Sequence, residues 1–203
     1  KAAIETGVIC DYQILILAIS SREVEQLWNE NRYVRPDELD LDEPTAQALA
    51  AHIAIKHVID TQSVKKAISF HKSRELAQRF RSRAKEIFEF YPENRGVECF
   101  YISGEHKASQ RNETIRDFVR SEKGLITNAR CMTEGVDIPS VDCVVFTNPK
   151  RSVVDIVQAT GRALRTSKDT GKKLGTIVIP VIVPDGMSLE EFQEQTEFKT
   201  VIR

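Results

Sequence analysis

The chain has 203 residues, 41% hydrophobic and 29% charged, enough to build a buried core and too apolar for disorder to be the starting expectation. A net charge of -1 excludes a strongly basic nucleic-acid coat, so any phosphate contact has to come from a local cluster of Lys and Arg. The four cysteines, Cys10, Cys99, Cys131 and Cys143, form no CxxC pair, which argues against zinc ribbons and redox motifs and for reduced thiols in a cytoplasmic protein.

Apolar runs alternate with helical periodicity along the chain. Residues 12–19 (YQILILAI) predict a buried strand, and 21–30 a helix with a serine cap. Residues 35–44 (RPDELDLDEP) read as an acidic, proline-bounded linker, and 44–60 as a helix. A strand is expected at 65–71, a helix capped by Ser73 at 73–90, a strand ending in a glycine turn at 97–104, and a helix at 109–121. Strands follow at 124–128 and 141–148, a helix at 152–164, a strand at 175–183 and a helix at 188–198. No apolar run is long enough to span a membrane, and no signal peptide is visible. Both ends read as cut, so a piece of a longer protein is expected.

This alternation is that of an α/β protein with a parallel sheet and helices on both faces. In such sheets the loops that follow the strands share one edge, where ligands bind. The first loop offers Ser69, His71 and Ser73 at a strand end and helix start, a setting that suits phosphate. The second offers Ser103, Gly104 and Lys107. The third offers Thr127, Asn128 and Arg130, then Gly135, which permits a tight turn, and Asp137, which can accept ribose hydroxyls. In DIVQATGRALR, Arg162 and Arg165 are three apart and share a helix face with Gln158 nearby. Two guanidinium forks side by side suit a phosphate group.

Each feature has a plainer competing reading. Arg162 and Arg165 can pair with surface carboxylates. His71 can be a hydrogen-bonded strand-end histidine, Ser103–Gly104 a simple turn, and Asp137 a loop cap. Cys99 and Cys131 read as packing residues, and His52 and His57, five apart on a helix, do not face each other as metal ligands.

The order SFHKS, YISG, LITNARCMTEGVDIP and QATGRALR resembles motifs IV, IVa, V and VI of a superfamily 2 helicase, over about residues 65–183. Motif VI reads (H/Q)-x-x-G-R-x-x-R, matched by Gln158, Gly161, Arg162 and Arg165; motif V is matched by Thr127, Gly135 and Asp137. The Gln at the head of motif VI is closest in flavour to DEAH-like and restriction-type helicases. Many members carry Asp at the position of Asn128 and Arg at that of Ala159.

The resemblance implies a RecA-like fold and the second of two lobes that hold ATP between them. Residues 63–203 are then the helicase C-terminal domain, and 1–62 an interlobe linker or mainly helical extension with a first strand. The chain has no GxxxxGK[ST] phosphate loop, so Mg2+ and most of the ATP contacts are expected on an N-terminal RecA-like lobe of the same protein. The implied catalytic residues are Arg162, Arg165 and Gln158, with Gly135, Asp137 and Gly161 at the nucleotide. Ser69, His71, Ser73, Ser103, Gly104, Thr127, Asn128 and Arg130 are implied to grip a DNA or RNA backbone. A DNA motor is the first reading; an RNA helicase lobe and a non-catalytic α/β module are the alternatives. The piece alone is expected to show negligible ATPase.

Overall fold

Strands covered on both faces carry apolar side chains at successive positions, and the runs at 143–146 and 177–179 read that way. The computed structural model describes residues 10–32, 43–62, 64–90, 96–129, 141–147, 174–188 and 190–192. Their order is β1 (Asp11–Ser20), α1 (Ser21–Arg32), α2 (Glu43–Thr61), β2 (Lys66–His71), α3 (Arg74–Phe90) and β3 (Val97–Ser103). Then come α4 (Ala108–Arg120), β4 (Lys123–Ala129), β5 (Cys143–Phe146) and β6 (Leu174–Val183). Among the described residues one sheet forms, in the order β1-β6-β5-β2-β4-β3, with every pairing parallel. This is the α/β sheet that the alternation predicted.

Residues along each strand point alternately to the two faces. Ala67, Leu125, Cys143, Val145 and Val178 pack under α1, α2 and α3 through Val24, Leu27, Leu49, Ile55, Phe80 and Phe88. Their neighbours Ile68, Ile126, Val144, Phe146 and Ile177 pack on the opposite side with Phe118 of α4. Phe118 is fully buried, and a phenylalanine removed from water in this way contributes about 1.5–3 kcal/mol. The alanines at 50, 51 and 54 are also fully buried, and their small size lets α2 lie close to its neighbours.

Helix starts are fixed by short-range side-chain bonds. Ser20 Oγ accepts from the Glu23 N–H (3.1 Å) while the Glu23 carboxylate accepts from the Ser20 N–H (2.9 Å), a reciprocal cap that starts α1. Asp185, in the turn after β6, accepts from the Arg22 N–H as well (3.2 Å). Ser73 caps α3 as the sequence predicts, its hydroxyl accepting from the Leu76 N–H at 3.2 Å.

The N-terminal segment joins this sheet: β1 pairs with β6 from Asp11↔Leu174 to Ser20↔Val183. Proline inside a strand removes a ladder donor. Pro180 sits beyond Val178, the last β6 residue that pairs with β5, and its carbonyl accepts from Gln47 Nε2 of α2 at 3.2 Å. The expected strand at 141–148 is shorter, because Asp142 turns its carboxylate to the Lys65 and Lys66 N–H groups (3.0 and 2.9 Å). The helix expected at 152–164 lies outside the described residues, as do the stretch 35–42 and most of the helix expected at 188–198, of which 190–192 are helical.

Candidate functional site

Parallel pairing brings the ends of β2, β3, β4 and β5 to one rim. The register sets His71 beside Ala129 and Ser103 beside Ala129 on its other flank. Phe70 pairs with Phe146, so Thr147 emerges next to His71.

The sequence-derived candidates divide into two groups at this rim. Ser69, Thr127 and Asn128 are wholly buried, and His71 and Ser103 nearly so. Thr127 Oγ1 donates to the Phe100 carbonyl at 3.2 Å, binding β4 to β3. The Ser103 carbonyl accepts from the His106 N–H at 3.2 Å and closes a turn. Ser73 and Gly104 are exposed, with Lys72 and Lys107 beside them in the same loops. An ion pair between Arg74 and Glu105 joins the start of α3 to the loop after β3. Arg130, Gly135, Asp137, Gln158, Gly161, Arg162 and Arg165 lie outside the described residues.

Thr147 was missed by the sequence reading, and it completes a polar cluster. Its hydroxyl lies 2.8 Å from the Phe70 carbonyl and 3.2 Å from His71 Nδ1, while Ser69 Oγ lies 2.9 Å from His71 Nε2. Only its position directly after an apolar strand hinted at this, since the contact depends on how β5 registers against β2.

The imidazole is held from its open side too. Phe80 of α3 packs on it with ring centroids 4.7 Å apart, and His52 of α2 stacks on Phe80 in turn at 3.8 Å. His52 Nε2 donates to the Phe80 carbonyl at 3.1 Å. Burial pulls the His71 pKa from 6.5 down to about 3. His52 also falls to about 3, chiefly through burial, with the charge of Arg83 adding to it. Both rings are therefore neutral near pH 7 and serve as scaffold rather than as proton carriers. Burial raises the Cys99 thiol to about 12, so it is no nucleophile at neutral pH. Among the described residues no group of three or more His, Cys, Asp or Glu is placed to hold a metal ion. What this rim offers chemically is exposed cations, a capped helix start and turn backbone, a surface suited to phosphate oxygens.

Residues 50–167, more than half of the chain, match the family described as "Helicase conserved C-terminal domain". "DEAD-box ATP-dependent RNA helicase 27" of Oryza sativa subsp. japonica is 33% identical over 78 residues, covering 38% of this chain and 13% of that protein. The solved structure "ATP-dependent Type ISP restriction-modification enzyme LlaBIII bound to DNA" superposes with a TM-score of 0.73 at 24% identity, covering 98% of this chain and 14% of that one. "Mss116p DEAD-box helicase domain 2 bound to an RNA duplex" superposes with a TM-score of 0.51 at 16% identity, covering 73% of this chain and 64% of that one. The chain thus spans only a small part of the length of the first two. No helix among the described residues is long and apolar enough to cross a membrane.

Proposed function

The chain belongs to the helicase conserved C-terminal domain family, and on that premise we propose that it is the second RecA-like motor lobe of an ATP-dependent DNA translocase. The observation that carries this reading is the spacing Gln158-x-x-Gly161-Arg162-x-x-Arg165 within the stretch that matches the family. Transfer of the γ-phosphoryl group spreads negative charge over its oxygens, and a fixed guanidinium stabilises that charge. Arg162 and Arg165 supply it across a cleft to ATP, whose Mg2+ and phosphates sit mainly on a first lobe of the same protein. Gln158 hydrogen-bonds near the γ-phosphate, and Gly161, Gly135 and Asp137 take the nucleotide side.

The grip on the nucleic-acid backbone falls to the exposed rim: Lys72, Ser73, Gly104 and Lys107, with Arg130 following β4. Ser69, His71, Ser103, Thr127 and Asn128 lie beneath and shape these loops. Backbone contacts of this kind carry no sequence information, which suits a motor that steps along any strand. The preference for DNA rests on the glutamine that heads motif VI and is supported by the likeness in fold to a DNA-bound restriction enzyme over 98% of this chain.

An RNA motor is the second reading, favoured by a relative named as an RNA helicase. ATPase of the full-length protein, measured with single-stranded DNA, duplex DNA and RNA, separates the two. Stimulation by DNA is expected; stimulation by RNA alone replaces the substrate, and no stimulation by any of them leaves a non-catalytic module.

A further inference from the structure

Thr147 is the last described residue before the stretch that carries Gln158, Arg162 and Arg165, and β2 holds its hydroxyl through one carbonyl, that of Phe70, and one side chain, that of His71. We propose that His71 is a positioning residue: through the Thr147 hydroxyl it fixes the end of β5, the point from which the chain runs on to the two arginines. This inference rests on the assignment of those arginines to ATP chemistry.

The direction of each hydrogen bond follows from counting protons. The Phe70 carbonyl can only accept, so the one hydroxyl proton of Thr147 goes to it, at 2.8 Å. Thr147 Oγ1 then has only lone pairs left for His71, which places the ring proton on Nδ1, at 3.2 Å. His71 Nε2 is left as acceptor and takes the Ser69 hydroxyl proton at 2.9 Å. One neutral tautomer satisfies every partner, and burial keeps the ring in that state near pH 7. The ring cannot turn away, because Phe80 covers it and is itself clamped by His52. Ser69, His71 and Thr147 expose 0%, 8% and 3% of their surface, so no water competes freely for these bonds.

The geometry makes β2, α2 and α3 one anchor for the end of β5. That matters because a misplacement of about 1 Å in a catalytic group can lower a rate by about a hundredfold. On the far face Phe146 stacks on Phe70 at 5.6 Å and fixes the strand, while the Phe70 carbonyl and His71 share the hold on the hydroxyl beyond it.

The test uses the full-length protein and four variants. Thr147→Val keeps the shape and removes the hydroxyl, while Thr147→Ser keeps the hydroxyl. His71→Asn keeps a donor where Nδ1–H stood, while His71→Leu removes it. Nucleic-acid-stimulated kcat, the KM for ATP, Tm and amide exchange over residues 148–165 are read for each. Thr147→Val and His71→Leu are expected to lower kcat about 10- to 100-fold with little change in KM, and to speed exchange over 148–165. Thr147→Ser and His71→Asn are expected to restore both. Wild-type kcat and exchange in Thr147→Val overturn the inference, as does equal damage in the valine and serine variants; where valine prevents folding, the Asn and Leu pair decides in the same way. A wild-type protein without stimulated ATPase overturns the motor reading instead, while the exchange data still judge the tie between His71 and residues 148–165.

Discussion

The two ends of the central strands solve the same problem differently. At the entry end, polar groups meet main chain. The Asp142 carboxylate takes the Lys65 and Lys66 N–H groups, and the Lys66 ammonium lies on the carbonyls of Phe118 and Ser121 and 2.6 Å from Ser121 Oγ. That ammonium caps the C-terminus of α4, where the helix dipole favours a cation. Gly124 makes this packing possible, since a Cβ there would come within 2.8 Å of Ser121 Oγ and 2.9 Å of Phe118 Cδ2. At the exit end polar side chains also meet one another: Ser69 and Thr147 each bond to His71, Thr147 donates to the Phe70 carbonyl besides, and exposed Lys72 and Lys107 remain at the surface. One end is a closed foundation. The other is a rim whose parts are held in place yet face outward, which is where sheets of this kind bind ligands.

The contrast can be broken or sharpened by experiment. The largest effect is expected at the exit end: Arg162→Ala in the full-length protein should lower kcat about a thousandfold with Tm unchanged, and an unchanged kcat removes the arginine from the mechanism. Acid comes next. Both buried histidines have folded pKa values near 3 against 6.5 unfolded, so unfolding takes up protons between those values. Stability is then fully present above pH 6.5 and falls as pH drops toward 3, by up to about 1.4 kcal/mol per pH unit for each ring. Urea melts at pH 7, 6, 5 and 4 read that slope, and His71→Asn should roughly halve it. A slope that His71→Asn leaves untouched means that His71 is already charged in the fold.

Smaller still is the entry end. Gly124→Ala should destabilise by about 1–3 kcal/mol through overpacking against Phe118, with kcat per folded molecule unchanged; a change in kcat at constant fold would erase the division between the two ends. The smallest effect is expected from the exposed pair Arg74 and Glu105. Glu105→Gln should alter stability by less than about 1 kcal/mol, and a larger change in melting would show that this pair braces the rim.

Much of the architecture was legible in the sequence. The apolar runs, the helical periods and the cap at Ser73 point to a parallel sheet with helices on both faces, because each is a local signal. The rim was less legible. Ser69, Thr127 and Asn128 read as gripping hydroxyls and amide because they stand at strand ends, but their burial depends on how α3, α4 and neighbouring strands cover them, which periodicity does not carry. The bond between His71 and Thr147 joins residues 76 positions apart and needs the register of β2 on β5. Asp142 read as an ordinary strand residue for the same reason: its carboxylate finds its partners only once β5 lies beside β2.

The pairing of β1 with β6 also bears on synthesis. Gln13 Nε2 reaches Thr176 Oγ1 across 163 positions of chain. At about 5–20 residues per second, a ribosome needs roughly ten to thirty seconds to deliver the second strand after the first. Through that interval the apolar run at 12–19 is without its ladder partner, and this edge of the sheet can close only after residue 183 has been made.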